Sequence, residues 1–565
     1  MNNAPIYILG TGLSHDGSTC LLKDGKLVVA IEKERLTRIK HDGGNDYDTV
    51  QYCLDAAGIT LNEVSLVVQC ANFEKHEILP NKFKGKRLFT NAQQPPIFTI
   101  SHHLAHAYSA LGTSPFETCA VMIIDGCGSF YHQSDDLVGA FIPATVQQQP
   151  GLYGEKDSFY YYDGVTLQPI FKDFSIIDFK QQPHQVYLPT SNHSIGGLYA
   201  MASNYCFGDF DDVGKLMGLA PYGRKNIYTD DLFILKDDTV WVNETVMHQY
   251  FTQPMDPIDR PFNDYFQYYA DIAYWVQTQA TKAILYVFQH RLPLVNTPNI
   301  CYAGGVALNA VANAQLLKNF PDKNFYIEPA AGDNGLAIGC AYYGWLSVLG
   351  KPKVLHNGST FLGKTYFNNE IEQALKLLPT SYKIKKVDDV ATATIPYLLN
   401  GKTIAWFQGG AEFGPRALGK RSIIADPRIK DIQQYINGTI KCREDFRPFA
   451  PSVLYDYKDV YFEDGFESPY MILVDKIKPS FAALMPGIVH VDGSCRVQTV
   501  TSDNEPYYSL LKHWYTATGI AVLLNTSLNK KGMPIVETPH DIIHFFMNSA
   551  IEVLVLHQYI ITKHD

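Results

Sequence analysis

Near the N-terminus the alternation of apolar and polar positions predicts short strands. Ile6–Leu9 reads as a first strand, Thr19–Leu22 as a second and Leu27–Ile31 as a third, with Asp24 and Gly25 as the hairpin turn between the last two. That is a meander, not the strand, glycine turn and helix that open a dinucleotide-binding unit. The loop after the first strand, Gly10 to Ser18, is rich in glycine and serine, and its backbone amides suit a phosphate. Asp48–Ala57 predicts a helix closed by Gly58, and Leu66–Gln69 a further strand. Ile97–Ile100 predicts a short strand that hands over at Ser101, an N-cap residue, to a helix. Strand, glycine turn and strand recur at Ala120–Gly128 and Gly139–Ile142, so two related halves are expected before about residue 350. The uncharged stretch Gly335–Gly350 is too short and too glycine-rich for a bilayer span and reads as a core helix. Lys351–Gly358 breaks the pattern and is the expected linker, giving domains over 1–354 and 355–565. Toward the C-terminus, Thr538 is placed to cap a helix running through Asn548.

A chain of 565 residues exceeds what one hydrophobic core supports, which agrees with two large domains or three smaller ones. With 46% hydrophobic and 18% charged residues, the composition is that of a globular protein. The net charge of -10, from 47 basic against 57 acidic residues, argues against a general nucleic-acid binder. Ten cysteines without a C-x-x-C pair suggest neither a zinc ribbon nor a disulfide framework. A reducing compartment fits that usage, and Met-Asn-Asn-Ala-Pro lacks the basic and apolar pattern of a signal segment. The expectation is a cytoplasmic protein with no membrane partner.

Chemistry concentrates in two places. His102 and His106 lie four residues apart on the expected helix, a spacing that aims both imidazoles the same way and can hold one metal ion. Asp125 ends the apolar run Met122–Ile124 at a glycine turn, and Asp333 sits between glycines before the long apolar segment. Two imidazoles and two carboxylates form a mixed set suited to iron(II), zinc or manganese. The second concentration lies after residue 410. Arg416, Lys420, Arg421, Lys441, Arg443 and Arg447 stand among glycines, prolines and phenylalanines, which argues for a partly buried cationic pocket able to clasp phosphate oxygens. Arg496, Asn525 and Ser527 are candidates to complete it.

Taken in order, the segments SHDGSTCLLKDGKLVVAIEKERLTRIKH, SHHLAHAYSA, GKLMGLAPYG, GGVALN, EFGPRALGKRSI, KCREDFRPFAPS, HVDGSCRVQTV and NTSLNKKGMPIVETPHD resemble the O-carbamoyltransferase family, which modifies nodulation factors, cephems and aminoglycosides. The resemblance spans nearly the whole chain. It implies an α/β architecture: an actin-like ATPase-type N-terminal domain, related to threonylcarbamoyl-transfer enzymes, followed by a YrdC-like domain. It further implies that carbamoyl phosphate and ATP, with magnesium, yield carbamoyl-adenylate in the second domain. The first domain then passes the carbamoyl group to a hydroxyl of a small-molecule acceptor, in a chain that can form a homodimer. By the same resemblance His102, His106, Asp125 and Asp333 match the metal ligands, with iron favoured, and His15 matches the histidine beside the transfer site, expected as the base. Gly304, Gly305 and Asn309 fall in the adenosine motif, Lys215 joins them as an adenylate contact, and Arg416, Arg421, Lys441, Arg447, Arg496, Asn525 and Ser527 match the carbamoyl-phosphate and ATP pocket.

The chain departs from the family pattern at Ser129, where an acidic residue is usual, and through 130–190, the region expected to shape acceptor binding. An actin-like ATPase or sugar kinase would account for the N-terminal loops but not for the histidine pair or the cationic half. A hydrogenase-maturation carbamoyltransferase would bring an acylphosphatase domain and cysteine-paired zinc fingers, which this sequence lacks. An idle nucleotide-binding scaffold is the remaining rival.

Overall fold

In the computed structural model, which describes residues 4–44, 47–71, 95–143, 146, 153–177, 193–251 and 261–563, the expected meander forms as β1 (Tyr7–Leu13), β2 (Ser18–Lys23) and β3 (Lys26–Glu32). Asp24 (φ 48°) and Gly25 (φ 81°) both take the left-handed conformation that a two-residue hairpin turn requires. β4 (Val64–Ala71) and β5 (Ile97–Ile100) add in parallel, giving the order β3-β2-β1-β4-β5. Gly10 and Gly12, expected in a phosphate loop, belong to β1. A Cβ on Gly10 would stand 2.0 Å from the carbonyl oxygen of Ala337, so the glycine admits the helix Leu336–Tyr343 against the strand, and the loop shrinks to Ser14–Gly17.

The second half repeats the plan. β6 (Cys119–Ile124), β7 (Tyr153–Tyr162) and β8 (Leu167–Ile176) form an antiparallel meander. After a small hairpin of β9 (Phe233–Lys236) and β10 (Thr239–Val242), β11 (Asn299–Ala303) and β12 (Asn324–Ile327) add in parallel beside β6, giving β12-β11-β6-β7-β8. The two sheets share strand order and direction, as the doubled α/β core of an actin-like domain does. The expected strand at Gly139–Ile142 is not one: only Phe141 bridges, to Phe171, and β7 takes its place in the meander. β7 and β8 carry buried charges that pair with one another or with neighbours: Lys172 lies 2.5 Å from Glu155 and 2.6 Å from Asp136, Lys156 lies 2.9 Å from Asp173, and Arg291 lies 3.3 Å from Asp157.

The chain divides into two units, Met1–Lys33 with His41–Ser359, and Glu34–Lys40 with Thr360–Asp565. The linker expected at 351–358 closes the first unit, but the short segment Glu34–Lys40, drawn from the N-terminal part, belongs to the second. That second unit is built on a nine-stranded mixed sheet of β13 (Lys383–Lys386), β14 (Ile404–Phe407), β15 (Arg421–Ala425), β16 (Ala450–Leu454), β17 (Leu473–Lys476), β18 (Ser494–Val500), β19 (Val522–Ser527), β20 (Val553–Leu556) and β21 (Tyr559–Thr562). Its order is β13-β21-β20-β14-β15-β19-β16-β18-β17, and Trp406 and Trp514 are fully buried in its core. Thr538 caps the helix Pro539–Met547, its hydroxyl accepting from the Asp541 N–H at 3.1 Å. Among the described residues no helix is long and apolar enough to cross a membrane.

One buried acid at the end of β12 makes stability pH-dependent. Burial pushes the Glu328 carboxyl up to about 7, only partly offset by Thr113 and the Ala330 N–H. Between the ordinary glutamate value and 7 the folded chain keeps a proton that the unfolded chain releases, so stability falls as pH rises through that window. Glu328→Gln removes the effect, and its amide can donate to the Thr113 hydroxyl, which itself donates to the Ser109 carbonyl at 2.7 Å. The melting temperature of the variant relative to the parent is expected to rise by a few degrees between pH 5 and pH 8; a difference independent of pH would contradict the assignment.

Candidate functional site

In the N-terminal unit the helix His102–Thr113 and the turn before the helix Leu336–Tyr343 are drawn together because Gly339 packs on Ala105, between the two histidines of the pair. A Cβ on Gly339 would lie 1.7 Å from the Ala105 carbonyl oxygen, so no other residue permits this approach. It brings Asp333 over His102 and His106, while β6 delivers Asp125 from the other side. The His102 Nε2 then lies 3.0 Å from Asp125 Oδ2, 3.2 Å from His106 Nε2 and 3.3 Å from Asp333 Oδ1. His106 Nε2 is 3.6 Å from the same Asp333 oxygen. All four side chains are buried and offer ligand atoms within 4.8 Å of one another.

Two imidazole nitrogens and two carboxylates converging on one point place lone pairs against lone pairs, which only a cation satisfies. Burial works against a charged ring at His102, yet Asp333 and Asp125 hold it well above the ordinary imidazole range, so this centre attracts positive charge. The donor set fits a divalent ion of the iron, zinc or manganese type. Ser101 occupies the N-cap position, but its hydroxyl caps nothing there; the Ser129 hydroxyl accepts from the His102 N–H at 2.9 Å instead. Glu155, paired with Lys172, accepts from the N–H groups of His103 (3.2 Å) and Ser129 (2.9 Å). The buried carboxylate of β7 thus stabilises the helix start that presents the pair. His103 turns away, its Nδ1 2.7 Å from the Ser158 hydroxyl.

His15 stands at the open edge of this centre with its side chain 45% exposed. Its Nδ1 is 3.0 Å from Asp333 Oδ2 and its Nε2 3.3 Å from Asp16 Oδ2, and Asp16 Oδ1 is 2.9 Å from His41 Nδ1. The Ser14 hydroxyl also donates to Asp333. Asp16 and His41 escaped the residue-by-residue reading although they flank the same motifs; nothing in their spacing shows that a chain reversal joins them. Gly304 (φ 93°) crosses β6 so closely that a Cβ would lie 2.3 Å from the Ile124 carbonyl oxygen, and the Gly305 N–H donates to Asp125 Oδ1 at 2.9 Å. The GGVALN turn is therefore fastened to a ligand of the centre. Asn309 caps the helix Ala310–Asn319 through the Ala312 N–H and exchanges hydrogen bonds with Gln277. Lys215 is buried and paired with Asp212.

In the C-terminal unit Lys441, 2% exposed, donates to the Ser527 carbonyl (2.6 Å), the Ser527 hydroxyl (3.1 Å) and Asn529 Oδ1 (2.7 Å). Burial, then Arg443 and Arg447, hold its ammonium well below the ordinary lysine range. Burial, then Arg416, Arg443 and Arg447, do the same to the Arg496 guanidinium, and burial with Arg447 brings Arg416 down to about 10. Among the described residues the buried Nε atoms of Arg416 and Arg496 find no hydrogen-bond partner. Lys441 is buried and Arg416, Arg443, Arg447 and Arg496 are half-buried, a gathering of like charges that can accept a polyanion. Arg421 and Asn525 differ from expectation. The Arg421 guanidinium stacks 3.5 Å over Phe407 and donates to the carbonyls of Gln408 (2.9 Å) and Gly409 (3.1 Å). Asn525 donates to the Ala417 carbonyl (3.1 Å) and Gln498 (2.9 Å). Both shape the wall of the pocket, because a buried arginine among aromatics reads alike in sequence whether it faces a ligand or a backbone.

The family model "Carbamoyltransferase N-terminus" matches residues 7–78 and 65–342, and "Carbamoyltransferase C-terminus" matches residues 396–563. An uncharacterised protein of Synechocystis sp. is 33% identical over 99% of this chain and 97% of its own length. Nodulation protein NolNO of Sinorhizobium fredii is 30% identical over 97% of this chain and 79% of its own. The 3'-hydroxymethylcephem-O-carbamoyltransferase of Streptomyces clavuligerus is 25% identical over 94% of each. With family matches over both units, and relatives aligned along nearly its whole length, the chain belongs to the carbamoyltransferase family and is an enzyme of that class.

Proposed function

We propose that this chain is an ATP-dependent O-carbamoyltransferase working through carbamoyl-adenylate. The observation that carries the reading is the gathering of Arg416, Lys441, Arg443, Arg447 and Arg496 in the C-terminal unit, where burial and the neighbouring cations hold Arg416, Lys441, Arg443 and Arg496 below their ordinary ranges. Carbamoyl phosphate and ATP are polyanions, and joining them requires cations that offset their repulsion away from water. Water cleaves the phosphate from carbamoyl phosphate, and a carbamate oxygen displaces pyrophosphate from the α-phosphorus of ATP, with magnesium accompanying the nucleotide. Lys441 and Arg447 hold the phosphate of carbamoyl phosphate, and Arg416 faces the nucleotide.

The carbamoyl group then passes to an alcohol in the N-terminal unit. His102, His106, Asp125 and Asp333 would hold a divalent ion, iron by family resemblance, which supplies Lewis acidity toward a carbonyl or anchors the AMP phosphate. The acceptor oxygen attacks the carbamoyl carbon, the bond to AMP breaks, and the hydroxyl proton passes to His15 at Nε2, while Asp333 fixes the ring through Nδ1. Gly304, Gly305, Asn309 and Lys215 line the adenylate side. Carbamoyl-adenylate is a mixed anhydride that water destroys, which favours carrying both steps on one polypeptide. The acceptor class is a small natural product or sugar bearing a hydroxyl, in line with the cephem named for the Streptomyces relative.

Exchange of labelled pyrophosphate into ATP, dependent on carbamoyl phosphate, tests the reading. Carbamoyl-phosphate-dependent release of AMP and pyrophosphate is expected; ATP turnover that ignores carbamoyl phosphate would return the chain to the ATPases and sugar kinases.

A further inference from the structure

The segment Glu34–Lys40 follows β3 in sequence yet is part of the C-terminal unit, and its two arginines are aimed at backbone. Arg35 is 2% exposed. Its Nη1 donates to the carbonyl of Glu412 at 2.5 Å and its Nη2 to that of Gly414 at 2.8 Å. The same Glu412 turns its Oε1 to the N–H groups of Leu418 (2.6 Å), Lys420 (2.7 Å) and Arg421 (3.1 Å). The loop that presents Arg416 is thus closed at one end by a guanidinium on its carbonyls and at the other by a carboxylate on its amides. Gly414, at φ 115°, gives the backbone turn that brings the two carbonyls to one fork.

Arg38 does the same to a second loop. Its Nη1 and Nη2 donate to the carbonyls of Ile535 (2.8 Å) and Pro534 (2.9 Å). That loop receives Lys441 at Ser527 and Asn529, and Asn529 is held in turn by the Met533 carbonyl at 2.6 Å. Only a planar guanidinium bridges two adjacent carbonyls in this way; an ammonium acts as a single point.

We infer that Arg35 and Arg38 are positioning residues of the carbamoyl-phosphate and ATP pocket, so that the activation step depends on a segment borrowed from the N-terminal part of the chain. The inference rests on the proposed adenylate-forming reaction. Neither arginine touches substrate: each fixes the loop that does, and displacing a charge by about 1 Å in such a site costs up to about a hundredfold in rate.

The test uses the full-length chain with Arg35→Ala, Arg35→Lys and Arg38→Ala, reading carbamoyl-phosphate-dependent pyrophosphate exchange, KM for carbamoyl phosphate and for ATP, bound metal and melting temperature. Arg35→Ala is expected to lower kcat/KM for exchange at least about tenfold with a raised KM, and to recover in part on adding guanidinium ion. Arg35→Lys is expected to stay well below the parent, and metal content to be unchanged throughout. Exchange within twofold of the parent in folded Arg35→Ala, or a loss confined to the amount of active enzyme with KM unaltered, would overturn the inference while leaving the reaction standing. Should Arg35→Ala not fold, Arg38→Ala and Arg35→Lys decide by the same criteria. A parent chain with no such exchange would sink the reaction and this inference together.

Discussion

Replacing His102 with alanine is expected to strip the buried centre of its metal and to end carbamoyl transfer, while pyrophosphate exchange in the other unit continues. His102 Nε2 is the atom on which the set converges, 3.0 Å from Asp125, 3.2 Å from His106 and 3.3 Å from Asp333. Its removal leaves two carboxylates and one imidazole, and it empties a site where the ring was wholly buried. Loss of an outer-shell partner lowers metal affinity or activity by about 10–100-fold, so loss of a ligand should exceed that range. Elemental analysis of the purified variant and a product assay with a hydroxyl acceptor read the two effects separately. If the variant keeps its metal and its transfer rate, these four residues are not the centre. If exchange falls as far as transfer, the two steps are not divided between the units as proposed.

Lys441→Ala should give the mirror image: exchange abolished and metal retained. The ammonium makes three hydrogen bonds within 3.1 Å, to Ser527 and Asn529, so its removal frees the loop that carries them and leaves the pocket short of one cation. Loss of an electrostatic group of this kind costs about 10²–10³ in rate. The Ser527 carbonyl keeps the Asn529 N–H and Asn529 Oδ1 keeps the Ser527 hydroxyl, so the melting temperature is expected to change little. Undiminished exchange in Lys441→Ala, with the protein folded, would remove the cationic pocket from the reaction.

The centre was legible in sequence because each part obeys a local rule. Residues four apart on a helix face one way, and an aspartate at a strand end before glycine reaches open space, so His102, His106, Asp125 and Asp333 announce themselves separately. Their convergence depends on Gly339 against Ala105, a contact between segments more than 200 residues apart that no local pattern contains. β7 and β8 were missed because Glu155, Lys156, Asp157, Lys172 and Asp173 interrupt the apolar alternation with charges. Those charges are tolerated inside only because they find partners across the sheet or from neighbouring segments. In the cationic pocket composition foretold the arginines but not their directions. The Arg421 guanidinium stacks on Phe407 and turns its Nη1 to the Gln408 carbonyl, a direction that composition alone does not give.

The passage of Glu34–Lys40 into the C-terminal unit also bears on how such enzymes can be recombined. A chimera that swaps only the portion from Thr360 onward would graft a foreign sheet onto a host's own Arg35 and Arg38, whose carbonyl partners at Glu412, Gly414, Pro534 and Ile535 come from the donor. Exchanging acceptor specificity between family members therefore takes more than a cut at one junction: the seven residues of Glu34–Lys40 must travel with the graft.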